Sequence, residues 1–231
     1  MKVKRVATGF LLKWFKHNGR DFVWRRKTDP YEVLMAEIML QRTKAEQVEP
    51  VYLDFIRRFP NVQELNKATE ADIARYFERL GLLWRATLVK RLAKELVDEL
   101  NGEVPHNRDM LLSLPAVGEY IADAVLCFAY GEDVAVVDAN VCRILGRVFG
   151  ITPKREARRD RRLKSQAQRL VPSGRASEYN WAMIDLAALV CTPRNPKHDI
   201  CPMKRICSFY QKLPLAVHDS QRDGQECEAS L

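Results

Sequence analysis

Three cysteines and one histidine crowd the stretch CTPRNPKHDICPMKRIC, residues 191–207 of a 231-residue chain. Their spacing is C-x6-H-x2-C-x5-C, set by Cys191, His198, Cys201 and Cys207. Three thiolates and an imidazole make a donor set for a structural zinc ion, and equally for an iron–sulfur cluster. The residues alone leave that choice open. Cys127 and Cys142 lie in apolar helical text and read as inert core thiols, and Cys227 stands in a polar tail. Clustering of only the other three argues for a metal rather than for disulfides.

Two carboxylates are placed where they could do chemistry. Asp138, in AVVDANVCRILGRV, follows an apolar run and stands at the expected N-cap of a helix. Capping is the commonest use of an aspartate. A carboxylate at the positive end of a helix dipole also stays ionised, and a fixed negative charge is what a cationic transition state needs nearby. Glu37, in EVLMAEIMLQRT, lies in a helix that is apolar for several residues on each side. It belongs either to a solvated stripe or to an apolar pocket, where desolvation would fit it for general acid work at neutral pH. Gln41 follows one turn later on the same face.

The elements that must position these groups are helical almost throughout. TDPYEVLMAEIMLQRT starts with Asp29 as N-cap, Pro30 at the first helical position and Glu32 beyond it. ATEADIARYFERLG repeats this grammar, with Thr69 as cap, Asp72 three residues on and Gly81 as the stop. Residues 84–100 read as a further helix closed by Asn101-Gly102, and β-type alternation is too scarce to support a sheet. In LLSLPAVGEYIADAVL a short helix ends at Leu114-Pro115, a hairpin PAVG follows, and a second helix starts near Glu119. Gly118 leaves the backbone N–H groups of that helix uncovered, which favours a phosphate there; an ordinary helical corner is the alternative.

The 38 Lys and Arg against 30 Asp and Glu give a net charge of +8, which favours polyanionic partners, nucleic acid first. The apolar fraction of 47% is ordinary for a globular protein, and no apolar run approaches the length of a membrane span. MKVKRVATGFLLKWFKHNGRD has no continuous apolar core or cleavage site, so it reads as an amphipathic helix of a cytoplasmic protein. The basic window PKREARRDRRLK, residues 153–164, reads as a solvated helix face, with phosphate contact as the alternative. The text after Leu213 is polar and aperiodic, and is expected to be disordered.

The hairpin LPAVG, the aspartate of VVDANV and the C-terminal cysteine loop, in that order, resemble the helix-hairpin-helix DNA glycosylases of the endonuclease III type. The resemblance runs from about Asp21 through Cys207. It implies a [4Fe-4S] cluster on a C-x6-C-x2-C-x5-C loop, with His198 in the place of the second cysteine; zinc is the alternative. It implies that Asp138 is the catalytic aspartate and that Pro115, Val117 and Gly118 grip the DNA backbone. Tyr120 falls where endonuclease III has its Schiff-base lysine, so strand nicking by β-elimination has no obvious amine. In this respect the chain resembles the archaeal thymine-DNA mismatch glycosylases and some adenine glycosylases, which also carry a glutamate at the place of Glu37. Gln41 matches a residue that fills the gap left by an extruded base, Leu82 a wedge on the opposite strand. Arg42, Arg194 and Lys197 are expected at phosphates. Ala116 stands where the family has its first hairpin glycine.

The fold implied is all-α, with two helical lobes flanking a DNA-binding cleft. Residues 22–134 would form a six-helix lobe carrying the hairpin, residues 1–21 with 135–212 the cluster lobe, and 213–231 a tail. The expected function is monofunctional excision of a mismatched base, thymine or uracil opposite guanine, by a monomer acting on double-stranded DNA. Adenine removal opposite guanine or oxidised guanine is the alternative within the class, and a non-catalytic DNA-binding iron–sulfur protein the alternative outside it.

Overall fold

The computed structural model describes residues 2–152, 157 and 160–213, with side chains from residue 6 on. The expected tail beyond Leu213, and residues 153–156, 158 and 159 of the basic window, lie outside the described residues. Among the described residues there are twelve α-helices and no strand. No helix there is long and apolar enough to cross a membrane. The chain divides into two compact units, one of Asp21–Val136 and one built from both chain ends, up to Arg20 and from Val137 on.

The continuous unit holds α2 (Pro30–Leu40), α3 (Ala45–Arg58), α4 (Val62–Lys67), α5 (Glu70–Glu78), α6 (Arg85–Leu100), α7 (Arg108–Ser113) and α8 (Glu119–Phe128). Helix α2 starts as its sequence dictates, with the Asp29 carboxylate accepting from the Glu32 N–H at 3.0 Å. It is apolar all round and is buried from Val33 through Met39, which makes it the central helix, packed against α3 and α8. In α5 the Thr69 and Asp72 side chains each accept from the other's backbone N–H at 3.1 Å, a complete capping box. Gly81, at φ +69°, ends this helix, and the next N–H, of Leu82, turns back to Phe77 O at 2.8 Å. Phe55, Phe59, Tyr76 and Phe77 meet edge-on between α3 and α5, an arrangement that suits their ring quadrupoles.

The second unit holds α1 (Lys2–Asn18), α9 (Ala139–Phe149), α10 (Arg161–Leu170), α11 (Ala176–Leu189) and the short α12 (Ser208–Gln211). Helix α9 packs against α10, α11 and α12, and α1 lies on α11 and α10. The two chain ends are tied by one buried ion pair. Asp185 in α11 is fully buried and accepts from both the backbone N–H and the guanidinium Nε of Arg20, each at 2.8 Å. A carboxylate buried this deeply would be costly without such a partner, so α1 cannot be peeled from α11 cheaply.

Candidate functional site

In the continuous unit the hairpin residues Leu114 to Val117 form a tight turn. The Val117 N–H donates to Leu114 O at 3.2 Å, Pro115 is the second residue and Ala116, third, has φ +65°. This is the position of a type II turn that asks for glycine, and an L-residue there is strained by roughly 1–2 kcal/mol. The hairpin therefore keeps its shape despite the Cβ, at a local cost. Ala116→Gly is expected to stabilise the protein by about 0.5–1 kcal/mol, because relief of strain outweighs the freer unfolded chain. Parallel thermal melts check this, and a lower midpoint for the variant would show the turn to be unstrained.

Gly118 caps α8 without any side chain, and its backbone is extended. A Cβ at this glycine would meet nothing within 4 Å. No side chain of Gly118 therefore covers the start of α8, the positive end of the helix, where an oxyanion is favoured. Tyr120 stands in this first turn and is partly exposed.

Glu37 is only 4% exposed, inside the apolar shell of α2. One turn on, Gln41 ends α2 as its C-cap. Arg42 follows at φ +63°, a left-handed conformation uncommon outside glycine. Gln41 is held by a residue that sequence reasoning missed, Arg85 at the start of α6. The Arg85 guanidinium, 4% exposed, donates to Gln41 Oε1 and, at 2.8 Å, to the carbonyl of Ile38. Burial, with the Arg42 charge nearby, pushes Arg85 below the ordinary arginine value. Leu82, the expected wedge, lies in the core at 5% exposure, while the next residues, Leu83 and Trp84, are exposed at 53% and 58%.

In the second unit Asp138 caps α9. Its Oδ1 accepts from the N–H groups of Asn140 at 2.9 Å and Val141 at 2.7 Å, and Oδ2 accepts from Asn140 Nδ2 at 2.6 Å. Three donors and the helix dipole meet this carboxylate, which remains partly open to solvent.

Cys191, His198, Cys201 and Cys207 line one pocket with Ile144, Val148 and Leu186. The three thiols are free, and the His198 ring stacks near Phe209 and Tyr210 at 6.1 and 5.0 Å. Burial pushes the Cys201 thiol up to about 11 and raises Cys207 as well, so thiolates here require a positive group among them. Among the described residues no three His, Cys, Asp or Glu side chains converge closely enough for a single metal ion.

Two further arginines escaped sequence reasoning, although their i, i+4 spacing on α9 was a signal. Arg143 donates to the carbonyls of Cys191 at 3.0 Å and Ala187 at 3.1 Å. Arg147 donates to the carbonyls of Thr192 and Pro193, both at 2.7 Å, and lies 3.4 Å from Cys191 Sγ. They clamp the start of the loop, whose Arg194 and Lys197 are left exposed.

A bare glycine thus starts one helix of the continuous unit, and a pinned carboxylate starts one of the second unit. Residues 35–172 match the HhH-GPD superfamily of base excision DNA repair proteins, and residues 191–207 match the iron–sulfur binding domain of endonuclease III. The chain is 41% identical to a thymine/uracil-DNA glycosylase of Pyrobaculum aerophilum, over 87% of this chain and 90% of that protein. It is 38% identical to an adenine DNA glycosylase of Mycolicibacterium smegmatis, over 84% of this chain and 66% of that protein. The structure of a thermostable thymine-DNA glycosylase superimposes with a TM-score of 0.87 at 36% identity, covering 92% of this chain and 98% of that one. The chain belongs to the HhH-GPD superfamily, has its endonuclease III-like all-α fold, and carries a [4Fe-4S] domain at residues 191–207.

Proposed function

We propose that this protein is a monofunctional DNA glycosylase that removes thymine or uracil mispaired with guanine and leaves the abasic strand intact. One observation carries the chemistry: the Asp138 carboxylate, held by two backbone N–H groups at the start of α9 and still open to solvent. The choice of base rests on the likeness to thymine/uracil-DNA glycosylases over nearly their whole length.

The target nucleotide leaves the duplex at a cost of a few kcal/mol, offset by contacts to the flanking phosphates. The α8 amides beyond Gly118 and the basic side chains Arg42, Arg194 and Lys197 supply those contacts, with Pro115 and Val117 shaping the hairpin. Gln41, fixed by Arg85, fills the vacated space. Water then bonds to C1′ of the sugar as the C1′–N1 bond breaks. The bonding electrons leave with the base, which takes a proton from Glu37 directly or through water. Asp138 stabilises the positive charge on the sugar, orients the attacking water and accepts the proton that water gives up as its oxygen bonds to C1′. Tyr120 shapes the pocket facing the sugar and offers no amine for a Schiff base, so elimination does not follow.

The [4Fe-4S] cluster, held by Cys191, Cys201 and Cys207 with His198 as fourth ligand, supplies a structural clamp when bound. The protein works as a monomer on chromosomal DNA in the cytoplasm.

Duplexes with G·T, G·U, A·G and A opposite oxidised guanine, resolved with and without alkali, test this reading. The G·T and G·U strands are expected to break only after alkali, and borohydride to trap no covalent adduct. Excision of adenine alone would establish the adenine reading. Breakage without alkali together with trapping would overturn the monofunctional one, and binding without any excision the enzyme itself.

A further inference from the structure

The last turns of α3 and the body of α5 line an open cavity of about 510 Å³ in the continuous unit. Four exposed arginines reach it, Arg57 and Arg58 from α3 and Arg75 and Arg79 from α5 and its C-cap, against two aspartates, Asp54 and Asp72. The rest of the lining is aromatic. Phe59 is fully buried and Tyr76 half-buried, with their rings 5.8 Å apart and edge-on. Phe59 is held in place, its carbonyl accepting from the buried Tyr31 hydroxyl at 2.8 Å. The Arg58 guanidinium lies 5.1 Å from the Phe59 ring centroid, a cation–π contact that keeps this charge at the cavity.

The two aspartates do not saturate these cations. Asp54 accepts from Arg79 at 3.1 Å and stands 3.5 Å from Arg57, while Asp72, engaged in the capping box of α5, is 3.8 Å from Arg75. The last two contacts are longer than the roughly 2.7–2.9 Å of a charge-assisted hydrogen bond. A guanidinium has several donors to spare beyond one such contact, and exposed pairs of this kind contribute little. The cavity therefore keeps an excess of positive charge beside an apolar ring, which suits an anionic ligand with an apolar part.

The bound duplex is not that ligand. Gln41 and Arg42 precede α3, and Asp54 lies nine positions beyond Ala45, roughly 14 Å of rise along the helix. None of the contacts proposed for DNA reaches the cavity. The spacing of its cations fits a peptide instead. Arg75 and Arg79 share one face of α5, four residues and about 6 Å of rise apart. An extended chain repeats its same-side carboxylates every second residue, at about 6.5–7 Å. We propose that this cavity docks an extended acidic segment of a partner protein, with carboxylates at Arg75 and Arg79 and an apolar side chain on Tyr76. The proposal rests on the reading of the protein as a DNA glycosylase only in setting DNA aside here.

The test follows the fluorescence anisotropy of a labelled short peptide, with glutamate at every second position and one phenylalanine, on the full-length protein with and without saturating G·T duplex. The wild type is expected to bind this peptide at least about ten-fold more tightly than its glutamine counterpart, with or without the duplex. Arg75→Glu and Arg79→Glu should each weaken binding at least about ten-fold, since a repulsive charge replaces a donor. Excision from the G·T duplex should stay at the wild-type rate in both variants, and melting should change little, because both side chains are exposed. Equal binding of the two peptides, or unchanged affinity in both variants, would overturn the proposal. Displacement of the peptide by duplex, with weaker DNA binding in the variants, would overturn it too and give the arginines to the nucleic-acid surface. Peptide binding as expected in a wild type that excises no base would uphold the docking site and remove the glycosylase reading instead.

Discussion

Asp138→Asn is expected to lose at least ~10²-fold in single-turnover excision while binding DNA nearly as tightly as the wild type. The two roles of this side chain separate cleanly in that substitution. As a cap, Asp138 accepts from Asn140 and Val141 N–H through Oδ1, and an asparagine Oδ1 accepts equally well. Helix α9 should therefore start at the same residue, and melting should change little. What the variant lacks is the negative charge, and the charge is what a cationic sugar responds to. The loss should fall on the rate of the chemical step, measured with enzyme in excess over a mismatched duplex. Near-normal single-turnover rates would remove Asp138 from the chemistry and leave it as a cap alone.

The other large effect is expected in the cysteine loop. Protein purified without oxygen should contain iron and acid-labile sulfide with negligible zinc, and Cys201→Ala should lose both. In that variant residues 191–207 should become the first site of proteolytic cutting, since the cluster closes the loop. His198→Cys is the sharper probe. A ligating imidazole is neutral whereas a thiolate is not, so the exchange makes the cluster more negative and should move its potential downward with iron retained. An unchanged potential would mean that His198 does not ligate. One zinc per chain, with iron absent, would overturn the assignment of the whole set.

Much of this architecture was legible because its signals are local. Asp29-Pro30, the Thr69/Asp72 pair, Gly81 and Asn101-Gly102 each satisfy orphaned backbone groups within a turn of themselves, so their text alone marks the helix ends. Asp138 was legible for the same reason. The turn at Gly81-Leu82-Leu83-Trp84 was not. Three adjacent apolar residues carry no helical period, and which of them turns inward is decided by the core beneath α5 and α6. The wedge expected at Leu82 therefore sits in the core, and the surface belongs to its two neighbours. Arg85, Arg143 and Arg147 were hidden for a related reason. A buried arginine is recognised by the carbonyls it reaches, and those carbonyls lie about 44 to 48 residues away in sequence. Ala116 departs from its expected glycine in type but not in conformation, because neighbouring helices α7 and α8 hold the turn.

The ion pair between Arg20 and Asp185 gives the chain a timetable. Its partners are separated by 165 positions, and the whole of the continuous unit is synthesised between them. At roughly 5–20 residues per second, α1 emerges about eight to thirty-three seconds before the helix that will cover its apolar side exists. During that interval the unit of Asp21–Val136 contains every helix it needs and can finish folding on the ribosome. Helix α1 has no such option. It must remain tethered to a finished neighbour, its apolar face uncovered, until α11 has been made. Helix α1 is thus made before the continuous unit and seated after it.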